Sequence, residues 1–169
     1  MTAALIVIDV QNDYFPDGAY PLWNTTATLD ATVAAIGRAR QRGEPVVLVQ
    51  HVAVAPDSPL LKAGTPGAEI HPRILAAAPD AAVVVKRFAD SFHQTDLGEV
   101  LARNGVDHLR IAGMMTQNCV AHTALSRGAD PYQVSVLSDC TTTVDPAIHR
   151  FALNALSTRV ALVPDAEAA

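Results

Sequence analysis

Aromatic residues make up only 5% of this 169-residue chain, and its 12 Lys and Arg are outnumbered by 17 Asp and Glu. A formal charge of -5 leaves no basic face to neutralise a row of phosphates, so nucleic acid is not expected as a partner. Cysteine is scarce as well. With Cys119 and Cys140 alone and no secretory signal ahead of them, a disulfide scaffold is excluded, leaving reactive or plainly buried thiols. Residues 1–4 carry no positive charge and the apolar run 5–8 stops at Asp9, which fits neither a signal peptide nor a membrane span. A cytoplasmic location without a membrane partner is the expectation. No glycine-rich phosphate loop follows that first run, where Gln11-Asn12-Asp13-Tyr14-Phe15 stands instead, which argues against a nucleotide- or flavin-binding domain. Internal repeats and low-complexity linkers are missing too.

Apolar side chains, by contrast, are plentiful at 50% of residues, enough for one good core in a chain too short for two ordinary domains. A single domain over 1–169 is expected. Short, nearly continuous apolar runs recur at 5–8, 46–49, 83–85, 109–112, 134–137 and 160–163, as strands buried on both faces read. Helical spacing fills the gaps: Leu29, Val33 and Ile36; Leu97, Val100 and Leu101; Ile148, Phe151, Ala152 and Ala155. Gly43, Gly105 and Gly128 stand where helix C-caps belong, Thr95 or Asp96 can cap one start, and Asp145-Pro146 reads as an N-cap with an N1 proline. Alternating strands and helices predict an α/β fold of three αβα layers, with a doubly wound, mostly parallel sheet. Two long connections, 11–23 and 52–69, leave the C-terminal edge of that sheet, where ligands of open α/β sheets bind.

The same edge collects the chemistry. Asp9 ends the first run, Lys86 ends the third, and Cys119 follows the fourth after the turn Gly113-Met114-Met115-Thr116-Gln117-Asn118. Singly, each has a bland explanation: a turn former, a solvated lysine, a small buried hydrophobe. Together they form a nucleophile set, in which Asp9 takes the thiol proton and Lys86 holds the resulting charge. Cys119 also begins the helical stretch 120–127, whose N-terminus is expected to favour a thiolate. The Cys119 N–H and another from the preceding turn are candidates for an oxyanion site.

Three blocks then resemble the isochorismatase-like cysteine hydrolase superfamily, over nearly the whole chain. They are residues 5–15 (LIVIDVQNDYF); Val85-Lys86 with Asp90-Ser91-Phe92 and Thr95-Asp96-Leu97; and residues 112–120 (AGMMTQNCV). The resemblance implies a six-stranded parallel sheet in the order 3-2-1-4-5-6 and an Asp, Lys, Cys triad that maps onto Asp9, Lys86 and Cys119. It also implies a non-proline cis peptide at Met114-Met115, with the Met115 N–H in the oxyanion site, and a homo-oligomer. Nicotinamidases of the superfamily carry an Asp-x-His metal element after strand two. Here Val49-Gln50-His51 offers no such aspartate, so neither a metal nor any other cofactor is expected. Pocket walls are expected from Phe15, Trp23, Phe88 and Met115, with Gln11, His51, Gln117 and His122 as polar contacts to a small-molecule substrate. The function expected is cleavage of a carbon-nitrogen, amide-like bond through a thioester. Two alternatives stand beside it: vinyl-ether hydrolysis without covalent catalysis, and a non-catalytic small-ligand binder. Cys140 has no expected role beyond a buried structural thiol.

Overall fold

The computed structural model describes residues 2–167. Six strands, β1 (Ala3–Ile8), β2 (Val46–His51), β3 (Ala82–Lys86), β4 (His108–Met114), β5 (Gln133–Thr142) and β6 (Ala161–Val163), form one parallel sheet in the order β3-β2-β1-β4-β5-β6. The expected order is the observed one. Order reverses between β1 and its two neighbours, β2 and β4, and the candidate residues cluster at the C-terminal end of that switch point.

Side-chain alternation along β1 divides the core into two layers. Leu5 and Val7 face one side with Leu29 and Ile36 of α1 (Thr25–Gln41) and Ile74 of α2 (Pro72–Ala77). Ile6 and Ile8 face the other with Leu97 and Leu101 of α3 (Leu97–Arg103), Ala124 of α4 (Ala121–Ala124) and Leu156 of α5 (Pro146–Leu156). Each fully buried Leu or Ile contributes about 1.5–3 kcal/mol, so these two layers are what hold the sheet ends in register. No helix among the described residues is long and apolar enough to cross a membrane.

Local signals hold at most boundaries. Gly43 and Gly105 adopt φ of 71° and 62° just past α1 and α3, and Asp145 Oδ1 accepts from the Ala147 and Ile148 amides at 2.7 and 3.3 Å. Three expectations need correcting. Gly128 caps nothing, because it lies inside a 3-10 turn (Arg127–Ala129) beyond the short α4. The stretch 120–127 is not one helix: a π-helical turn (Thr116–Val120) leads into the four residues of α4. In α5 the spaced apolar residues face outward, with Phe151 76% exposed and Ile148 40%, while His149 and Leu156 turn inward.

Candidate active site

Asp9 leaves β1 with φ 52°, a left-handed conformation that Asp tolerates better than most residues, and its amide donates to Val49 O of β2 at 3.0 Å. Lys86 closes β3 in register with His51. Its Nζ stands 2.8 Å from Asp9 Oδ2, and both side chains are completely buried. The ammonium also lies 3.1 and 3.3 Å from the Phe88 and Ala89 carbonyls and 3.2 Å from His51 Nδ1. The ammonium pairs with Asp9 Oδ2, and the Asp9 carboxylate also faces the Cys119 thiol. Burial works against the Lys86 charge, yet the adjoining Asp9 and Cys119 outweigh it and leave the lysine pKa above its ordinary value.

Cys119 completes the cluster: its sulfur, an Asp9 oxygen and a His51 ring nitrogen all lie within 4.8 Å of one another. The turn that delivers it runs off β4 through Gly113, at φ 116°, where an added Cβ would sit 1.9 Å from Ile8 O. Only glycine allows β4 to approach β1 so closely. The Met114–Met115 peptide is cis, as the resemblance implied. The thiol itself departs from expectation. Cys119 is the fourth residue of the π-helical turn, with only four residues of α-helix beyond it, so little helix dipole supports a thiolate. Burial dominates, Asp9 adds to it, Lys86 opposes, and the thiol pKa is pushed up to about 12.

A small cleft of ≈ 210 Å³ opens above the thiol. Tyr14 enters from the first long connection, Ala53, Ser58, Leu60 and Leu61 from the second, and Met115 and Asn118 from the turn before Cys119. Both long connections therefore wall the cleft. Asp13 ties them together: Oδ2 accepts from the Leu61 amide at 2.7 Å, Oδ1 from Ala19 at 3.2 Å, and a Cβ on Gly67 would meet Oδ1 at 2.1 Å. Burial, then Asp9 and Cys119, push the Tyr14 phenol well above its ordinary pKa, so it stays protonated over the cluster.

Of the expected contacts, His51 and Met115 line this cleft. Gln11 does not: it is fully buried, its Nε2 donates to His51 O at 2.8 Å and Ala68 O at 2.6 Å, and its Oε1 accepts from the His51 amide at 2.8 Å. It clamps the cleft walls. Phe15 packs on His71 in a separate groove, centroids 4.5 Å apart, and Trp23 lies on His149, 5.8 Å away, over the end of β5. Phe88 meets His93 edge-on at 4.7 Å, Gln117 is exposed with Nε2 3.8 Å from Met115 Sδ, and exposed His122 contacts Asn118 O at 2.8 Å. Sequence spacing missed Asn118, Ser58, Leu60 and Leu61, because loop residues carry no periodicity; Tyr14 was visible in the first block but unassigned. Cys140 sits deep in the α1-side layer, its Sγ 3.6 Å from Asp139 Oδ1.

Asp9, His51 and Cys119 each offer an atom that could ligate a metal. A dication there would face the Lys86 ammonium, already 2.8 Å from one donor and 3.2 Å from another, so the cluster fits a cation poorly. An Isochorismatase domain model matches residues 3–168. The chain belongs to the isochorismatase family. Within that family it is 36% identical over 144 residues to YddQ of Bacillus subtilis, covering 85% of this chain and 79% of that one. The solved isochorismatase-like hydrolase of Alkaliphilus metalliredigens superposes with a TM-score of 0.89 at 26% identity, covering 99% and 97%. The N-carbamoylsarcosine amidase of Thermoplasma acidophilum superposes at 0.84 and 25% identity, covering 99% and 98%. This isochorismatase-family chain thus shares its whole fold with hydrolases, at least one of them named for cleaving an amide.

Proposed function

We propose that the chain is a cysteine-dependent amidohydrolase that cleaves the carbon-nitrogen bond of a small amide through a thioester. The observation that carries the reading is the buried Asp9–Lys86 pair beside the Cys119 sulfur. Asp9 takes the thiol proton as sulfur attacks the carbonyl carbon, and the Met115 and Cys119 amides receive the oxyanion. The new acid then protonates the leaving nitrogen, the C–N bond breaks, and the acyl group stays on sulfur. Water loses a proton to the same carboxylate and attacks the thioester, the C–S bond breaks, the sulfur takes the proton back from Asp9, and the free acid leaves. Lys86 stays cationic throughout and holds Asp9 ionised between proton transfers. The kinship to an amidase supports the bond type; the substrate stays within the class of small amides.

The test is release of ammonia or amine from a panel of small amides, ureas and lactams by the native protein and by Cys119→Ala. Loss of at least about a thousand-fold in kcat with an unchanged circular dichroism spectrum is expected. Full amidase activity in Cys119→Ala would refute the assignment. Vinyl-ether hydrolysis surviving that change would place the chain with the non-covalent chemistry.

A further inference from the structure

The geometry fixes the proton of one cleft imidazole. Lys86 Nζ lies 3.2 Å from His51 Nδ1, and an ammonium has no lone pair to accept a ring N–H, so its charge favours a bare Nδ1 facing it. A neutral imidazole carries one ring hydrogen, which leaves it on Nε2. Burial first, then the Lys86 charge, hold the His51 pKa below its ordinary value, so the ring is neutral at pH 7. The Phe88 carbonyl pulls the other way, the least of the causes, and burial together with the Lys86 charge outweighs it. The ring lines the cleft beside Cys119, and Nε2 makes no hydrogen bond to any described residue.

The rest of the lining narrows what that N–H can meet. No Asp, Glu, Lys or Arg lines the cleft, and beneath it Lys86 and Asp9 neutralise each other. A charged substrate would lose its hydration there with no counter-charge. Ser58 Oγ donates to Leu60 O at 2.7 Å, whereas the Asn118 amide is uncommitted among the described residues. We propose that His51 presents a fixed Nε2–H to the cleft as the residue that sets specificity, selecting a small uncharged carboxamide with a hydrogen-bond acceptor close to its scissile carbonyl. This rests on the amidohydrolase reading for the reacting group, but the tautomer and the preference do not depend on turnover.

Two measurements test it. Ring ¹⁵N NMR of the native protein at pH 7 should show His51 Nε2 as the protonated nitrogen and Nδ1 as the bare one; the reverse pattern would overturn the proposal. Binding to Cys119→Ala is then measured for benzamide, picolinamide and nicotinamide, which differ only in whether and where the ring carries a nitrogen acceptor. At least one pyridine carboxamide should bind about 10-fold more tightly than benzamide, a preference that His51→Ala in the Cys119→Ala background removes and His51→Gln, which restores a donor, recovers in part. Equal binding of all three, a preference that survives His51→Ala, or no binding of any of them would overturn it. If the binding pattern holds but the native protein hydrolyses none, the proposed reaction fails and the His51 assignment stands.

Discussion

Replacing Lys86 with Met keeps the length of the apolar stem and removes the only charge beside Asp9. Both side chains are 0% exposed and 2.8 Å apart. Breaking a buried pair from one side costs about 3–5 kcal/mol, because the remaining charge stays desolvated and uncompensated. In a domain of this size each kcal/mol lowers Tm by about 2–4 °C, so a fall of roughly 6–20 °C is expected at pH 7. Adding Asp9→Asn removes the stranded charge, and Asn suits the left-handed φ of 52° at that position, so the double variant should regain more than half of the loss. Urea unfolding of the native, single and double variants, with m compared, measures all three terms. A Lys86→Met protein within about 1 kcal/mol of native, or a double variant no more stable than the single one, would refute the reasoning.

Gly113→Ala should cost more than about 3 kcal/mol and deplete soluble protein, because its Cβ would lie 1.9 Å from Ile8 O at a φ of 116°; a native-like Tm would contradict the close approach of β1 and β4. His51, His71, His108 and His149 all have pKa values lowered from 6.5, burial being the first cause in each. Below that value the unfolded chain binds protons that the folded one resists, so stability is full above pH 7 and falls as pH drops through 6.5. Urea midpoints at pH 7.5 and 5.5 check this; equal midpoints would contradict it.

The sheet was legible because strands buried on both faces read as unbroken apolar runs, and so was the meeting of Asp9, Lys86 and Cys119, since the first two end such runs and the third follows the turn after the fourth. β3 shows the limit: it lies at the sheet edge, and Val83 and Val85 are 46% and 51% exposed although their run reads as fully buried. A run records that side chains are apolar, not that a neighbour covers them. The face of α5 was misread for the same reason, since helical spacing finds an apolar stripe without saying which stripe turns inward. Cleft residues such as Leu61 and Ser58 come from a loop shaped by Asp13 and Gln11, contacts 48 and 40 residues away in sequence that no local pattern encodes. The setting of the thiol was not legible, because the spacing announced a helix start but neither the π-helical turn nor the burial found there.

Brief treatment with limiting iodoacetamide at neutral pH, followed by intact mass and peptide mapping, probes the nucleophile directly, since the reagent is itself a small carboxamide. The account predicts a single adduct on Cys119, none on the fully buried Cys140, and loss of the rapid phase in Asp9→Asn, whose amide cannot take the proton. Labelling of Cys119 no faster than an ordinary thiol, or at an unchanged rate in Asp9→Asn, would contradict it.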